Sequence, residues 1–210
     1  IDERNFDWRR FPTSWEDIRN GTALRGAGQR FRIDASPGSE VNRYLVSFQE
    51  PYLFDSPVNL GLSASYFDRS YTDWDESRLG GRISFGYQWL ENDLSTVATN
   101  RGENVEISNI ATAPGAFPDL DEVVGDNALH GFKLAAINDT RDSAFLPTQG
   151  HYLEIGGEYV TGKFQYPRVD ADFRKYYLLH ERPDHSGRHV LSYATNVGWM
   201  GDDAPIYDRF

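Results

Sequence analysis

Arg78-Leu79-Gly80-Gly81-Arg82-Ile83-Ser84-Phe85-Gly86-Tyr87-Gln88-Trp89 reads as a β-strand, and its reading decides the fold class. Leu79, Gly81, Ile83, Phe85, Tyr87 and Trp89 alternate with Arg78, Gly80, Arg82, Ser84, Gly86 and Gln88. Successive side chains of a strand point to opposite faces of a sheet, so a period of two gives one apolar face with an aromatic end and one small, polar face. A helix would scatter the same residues around its axis.

The pattern repeats on both sides. Val58, Leu60, Leu62, Ala64 and Tyr66 alternate with Asn59, Gly61, Ser63 and Ser65, predicting a strand that pairs antiparallel with the first across an acidic loop at residues 73–76. Phe31, Ile33 and Ala35 form a strand before a Pro37-Gly38-Ser39 turn, and Tyr44, Val46 and Phe48 form the next before Asp55-Ser56-Pro57. Downstream, one face carries Leu153, Ile155, Gly157 and Tyr159; another Val169, Ala171, Phe173, Tyr177 and Leu179; a third Leu191, Tyr193, Thr195, Val197 and Trp199. Weaker signals cover residues 97–107 and 129–137. With a stub at residues 1–8, the count is about ten strands, several at or beyond the ~10 residues that cross a bilayer at a tilt.

Composition removes several classes. The chain is 39% hydrophobic, and its apolar runs, such as Leu134-Ala135-Ala136-Ile137, fall far short of the ~20 residues that a spanning helix needs, which excludes a helical membrane protein. A net charge of -11, with no concentrated Lys/Arg face, argues against nucleic acid as a partner. The absence of cysteine excludes a disulfide scaffold and thiolate metal sites. Ile1 is not a start residue and nothing resembles a cleaved signal peptide, so the chain is expected to be a section of a longer precursor.

Two architectures remain open on pattern: an antiparallel transmembrane β-barrel and a soluble β-sandwich binding module. The barrel is favoured. Sandwich strands are shorter and richer in Leu, Ile and Val on one face, whereas aromatic strand ends such as Tyr52, Phe54, Tyr66, Phe67, Tyr87 and Trp89 suit the two membrane interfaces. Connections at residues 37–40, 55–57, 91–93, 145–149 and 182–188 read as short, and those at 9–27, 72–77 and 111–127 as long. Short turns on one rim and long loops on the other is an outer-membrane arrangement, although the tight turn at 161–164 falls on the long-loop rim.

Between two such strands lies Asn138-Asp139-Thr140-Arg141-Asp142-Ser143-Ala144-Phe145-Leu146-Pro147-Thr148-Gln149-Gly150. Pro147 fixes φ for a turn, Gly150 accepts a left-handed conformation, and Asp139 and Arg141, two apart, share a strand face with Lys133 and Ala135. The segment resembles the Asp-x-Arg-Asp-x-x-x-x-Pro-x-x-Gly hairpin of BamA-type outer-membrane insertases and their relatives in mitochondria and chloroplasts. Val41 to Phe54 resembles the family's strand ending in Asn/Glu-Pro-Tyr-Phe/Leu, Glu3-Arg4-Asn5-Phe6-Asp7-Trp8 an early strand with its Asp-Asn-Trp-like end, and the tail from Ala204 to Phe210 the approach to a long inward-folded loop.

The resemblance implies an all-β fold in which residues 1–210 are part of one outer-membrane β-barrel domain, roughly the second to eleventh of sixteen strands. It implies a bacterial cell outer membrane location and a non-enzymatic assembly factor that folds and inserts client β-barrel proteins, with outer-membrane lipids and accessory assembly lipoproteins as further partners. The alternative within the fold is a secretion transporter or channel.

Individual residues are expected to serve structure. Asp139, Arg141 and Asp142 are read as a strand-end ion pair securing a turn with Pro147 and Gly150. Arg78, Arg82, Arg168, Asp170, Asp172 and Arg174 are read as lumen-facing charged rows, paired filler and not a selective pore. The carboxylates Asp119, Asp121, Glu122 and Asp126 match no calcium-loop spacing, and of the five histidines His185 and His189 share a spacing that spans turn residues, so no metal or other cofactor is expected. No serine sits in a nucleophile elbow or dyad.

Overall fold

The computed structural model describes residues 1–89, 93–111, 118–184 and 187–209. Among them, ten strands form one sheet in which each is bonded to its neighbours in sequence: β1 (Asp2–Phe6), β2 (Gln29–Ser36), β3 (Val41–Glu50), β4 (Val58–Ser70), β5 (Asp75–Trp89), β6 (Leu94–Ser108), β7 (Gly125–Asp139), β8 (Gly150–Gly162), β9 (Tyr166–His180) and β10 (His189–Met200). Two short helices, α1 (Trp15–Arg19) and α2 (Pro118–Asp121), lie in connections. One sheet threaded in sequence order excludes the sandwich, which needs two sheets.

The strands outrun their alternation. β4 reaches Ser70, β5 starts at Asp75 and β7 runs from Gly125 to Asp139, because charged and small residues at strand ends keep the ladder while breaking the apolar rhythm. The connection read at residues 72–77 therefore shrinks to residues 71–74, closed by Tyr71 N–H donating to the Trp74 carbonyl at 2.8 Å.

The chain falls into two compact units, Ile1–Phe85 with Thr99–Gly131, and Gly86–Ala98 with Phe132–Phe210. In the first, register sets Phe31 opposite Phe48, Ile33 opposite Val46, Phe48 opposite Leu62 and Tyr44 opposite Tyr66, which gathers the apolar residues of β2, β3 and β4 on one face. The Ser84 hydroxyl bonds to the Gly61 carbonyl at 3.5 Å, so the polar faces of β4 and β5 also coincide. Leu60, Leu62, Leu79, Ile83 and Phe85 share the opposite face, and Leu79 is 62% exposed. In the second unit Val197 faces Ala171 and Trp199 faces Val169, again on one exposed apolar face, with Val197 62% exposed.

Apolar side chains on an open face need a cover other than water. Burial lies on the other face. In the first unit Val105, Ile107 and Leu129 are buried, as are Leu120 of α2 and Val123, and the buried Asn127 donates its amide nitrogen to the carbonyls of Val105, Val123 and Gly125 at 2.7–2.9 Å. In the second, Val160 and Tyr166 are buried with Ala204, and Tyr166 bonds Asp208 while Gly201 N–H bonds the Pro167 carbonyl at 2.9 Å.

Sorting of short and long connections by rim does not hold. In the first unit, sequential strand order puts connections 7–28 and 51–57 at one end of the strands and 37–40 and 71–74 at the other, so the longest shares a rim with a short one. Residues 91 and 92 of the turn at 91–93, residues 112–117 of the loop at 111–127, and His185 lie outside the described residues.

Candidate functional site

β7 ends at Asp139 and β8 begins at Gly150, so the hairpin motif is a turn between two long strands. Thr140 N–H donates to the His151 carbonyl at 2.8 Å, and His151 N–H returns a bond to the Thr140 hydroxyl at 2.9 Å. The next rung is Asp142 N–H to the Gln149 carbonyl at 3.3 Å. Inside it, the Asp142 carboxylate accepts from Thr148 N–H at 2.8 Å, the Thr148 hydroxyl at 2.5 Å and Gln149 N–H at 3.3 Å. Those donors, the Thr148 hydroxyl foremost, pull the Asp142 carboxyl down to about 2. Pro147 enters this cage and Thr148 is buried in it, while Phe145 and Leu146 project at the tip.

Gly150 has φ +98°, and a β-carbon there would land on the Thr140 carbonyl. No side chain fits. Asp139 and Arg141 do not join Asp142 in one cluster. They pair with each other in a fork, Nε to Oδ1 at 2.8 Å and a terminal nitrogen to Oδ2 at 2.7 Å, and the bond to Asp139 raises the Arg141 guanidinium above its ordinary range.

From the fork, contacts run along one face of the second unit. The Arg141 guanidinium lies over the Tyr152 ring at 4.9 Å, and Arg174 approaches the same ring at 5.5 Å. The Tyr152 hydroxyl donates to Glu154 at 2.5 Å, Arg174 pairs with Asp172 at 2.5 Å, and the Lys133 ammonium meets Asp170 at 2.9 Å and Glu154 at 3.5 Å. Gly156 leaves the room that the Lys133 stem fills. Arg168 stands opposite Glu158 in the register of β8 and β9. In the first unit Arg78 pairs with Glu76, whereas Arg82 is exposed and makes no ion pair among the described residues.

Tyr152, Glu154 and Thr148 are the members that sequence reading passed over. Thr148 fills an unspecified position of the motif and Tyr152 follows it, and only their spacing from Asp142 and Arg141 across the turn marks them. Among the described residues no three His, Asp or Glu side chains gather as metal ligands.

An arrangement of this kind fixes strand register and fills a polar face with mutually satisfied charge. The Omp85 superfamily domain matches residues 24–210, nearly the whole chain. The chain belongs to the Omp85 superfamily. As an Omp85 protein it is a β-barrel segment of the bacterial outer membrane. Its fold is similar to the crystal structure of BamA from Haemophilus ducreyi lacking POTRA domains 1-3, with a TM-score of 0.69 at 17% identity over 89% of this chain. The matched region is 38% of that chain, so this Omp85 segment spans well under half of its structural relative. No curated protein sequence matches it.

Proposed function

We propose that residues 1–210 form part of the barrel domain of an outer-membrane β-barrel assembly factor, which folds and inserts client β-barrel proteins without covalent chemistry. In a bilayer an unpaired strand edge is costly, so a barrel edge offered to a client strand lowers the barrier to its insertion. Client barrels, outer-membrane lipids against the apolar strand faces, and accessory assembly lipoproteins are the partners of this reading.

The observation that carries it is the state of the polar face. Lys133, Glu154, Asp170, Asp172, Arg174 and Tyr152 are engaged with one another, which suits a wall that must hold its register under load and not a row of free charges that selects a permeant. The Asp139, Arg141, Asp142, Pro147 and Gly150 hairpin acts in this reading as the clamp of that wall.

The test is depletion of the full-length protein, with client barrels followed by heat-modifiable migration and secreted soluble proteins followed in the medium. Loss of folded client barrels across many clients is expected. Normal client barrels together with loss of one secreted protein would replace this reading by a secretion transporter.

A further inference from the structure

At the end of β3 the chain turns through Pro51, Tyr52 and the short 3-10 segment Leu53–Asp55, beside the start of the connection that leaves β1. Between them lies a crevice of about 690 Å³. Its wall is Trp8, Phe54 and the half-buried Phe48 and Leu60, the last two on the apolar face of β3 and β4. The crevice is therefore continuous with the surface that the barrel turns toward the membrane.

Its polar groups are few and placed. Gln29, 2% exposed, donates to Glu50 at 2.5 Å and accepts from Trp8 N–H at 3.1 Å, and Glu50 accepts from Tyr52 N–H at 3.3 Å. A carboxylate offers about four lone-pair sites, so Glu50 keeps about two of them for another donor. Asp7 and Asp55 add negative charge to the lining, and Arg9 is its one cation among the described residues, standing 5.3 Å from the Trp8 ring.

The backbone is strained here. Phe54 at φ +54° and Asp55 at φ +58° are consecutive left-handed residues with side chains, a conformation that costs energy and that persists where the surroundings impose it. Phe54 is 84% exposed at the crevice edge.

We infer that this crevice is a binding site for a phospholipid with a zwitterionic phosphoethanolamine head. The phosphate meets Arg9, the ammonium donates to Glu50 with Asp7 and Asp55 nearby, and an acyl chain runs over Phe48 and Leu60 along the membrane-facing surface. The volume falls in the ~300–1,000 Å³ range of small-molecule sites, enough for a head and its first methylenes. A purely anionic head leaves the carboxylates without a counter-charge, and a head with several phosphates needs more cations than Arg9 supplies.

The experiment is native mass spectrometry of the full-length protein in detergent, titrated with phosphatidylethanolamine and phosphatidylglycerol of matched chains. Phosphatidylethanolamine should be retained about tenfold more tightly, a difference of ~1.4 kcal/mol. Glu50→Gln should bring the two lipids level, Arg9→Gln should weaken both, and Trp8→Ala should release both while the barrel still shows heat-modifiable migration. Equal retention by the unaltered protein would overturn the site. A preference that survives Trp8→Ala would do so as well, and that variant decides the matter if Glu50→Gln does not fold.

Discussion

The connection from β7 to β8 and the connection from β1 to β2 solve one problem with different means. Residues 140–149 are short, tied by rungs that continue both strand ladders, and locked by a glycine that no side chain can replace. Residues 7–28 are long: their ends are tied to β1 and β2, with Gly26 N–H donating to the Asn5 carbonyl at 2.9 Å and Trp8 N–H to Gln29 at 3.1 Å, and their middle holds itself locally. Ser14 caps α1 by accepting from Asp17 N–H at 3.2 Å, and the Asp17 carboxylate accepts in return from Ser14 N–H and Thr13 N–H, each at 3.0 Å. The first connection transmits to the wall along its whole length; the middle of the second is an appendage that leaves Phe11 and Trp15 exposed. A turn wired into two long strands is a part of their register, and a turn wired to itself is not.

Substitutions ordered by expected effect sharpen that contrast. Gly150→Val combines a left-handed φ with a clash against Thr140, and should cost more than about 4 kcal/mol, leaving little folded barrel by heat-modifiable migration. A normal folded band would erase the distinction between the two connections.

Acid should act next, and it reaches both connections, since hydrogen bonds from Thr13 and Ser14 also hold the Asp17 carboxyl below its ordinary range. The Asp142 carboxyl sits at about 2 in the folded turn against about 3.9 in an unfolded chain, so its contribution is complete above pH ~4 and is lost as pH falls toward ~2. Amide exchange at Thr148 and Gln149 should accelerate over that window in the full-length barrel, and Asp142→Asn should abolish the pH dependence.

Asp139→Asn should be milder than Gly150→Val. The fork is partly solvated, with the Asp139 side chain 37% exposed, so its loss should cost about 1 kcal/mol and leave client insertion near normal. Normal levels of folded barrel with complete loss of client insertion would instead make the hairpin part of the working mechanism. Smallest is Ser14→Ala, which removes a helix cap worth about 1 kcal/mol to α1 only. It should speed exchange at the Asp17 amide with no change in folded barrel.

Much of this was legible from residues 78–89 outward, because a face that alternates for that length has few structures open to it. The hairpin was legible too, since proline, glycine and paired charges at fixed spacing carry their own geometry. Less readable were features that depend on residues far apart in sequence. Tyr152 between Arg141 and Arg174, and Lys133 between Glu154 and Asp170, exist only once register is set. Leu120 and Val123 read as loop residues, yet they are buried, and nothing local announces that a loop will fold back out of solvent. The rim rule failed because length says nothing about direction: each added strand reverses it, so parity and not size assigns a connection to its rim.

The neighbour-only order of the strands has a mechanical corollary. A sheet whose members are bonded in the sequence in which they are synthesised contains no threaded or crossing element. Drawn from one terminus by a cantilever, it can come apart one strand or hairpin at a time, and each detached piece leaves a regular edge for the same piece to zip back onto. Force traces of this protein should therefore show a series of modest, repeatable rips instead of a single catastrophic one, with the tallest where the β7–β8 turn has to open.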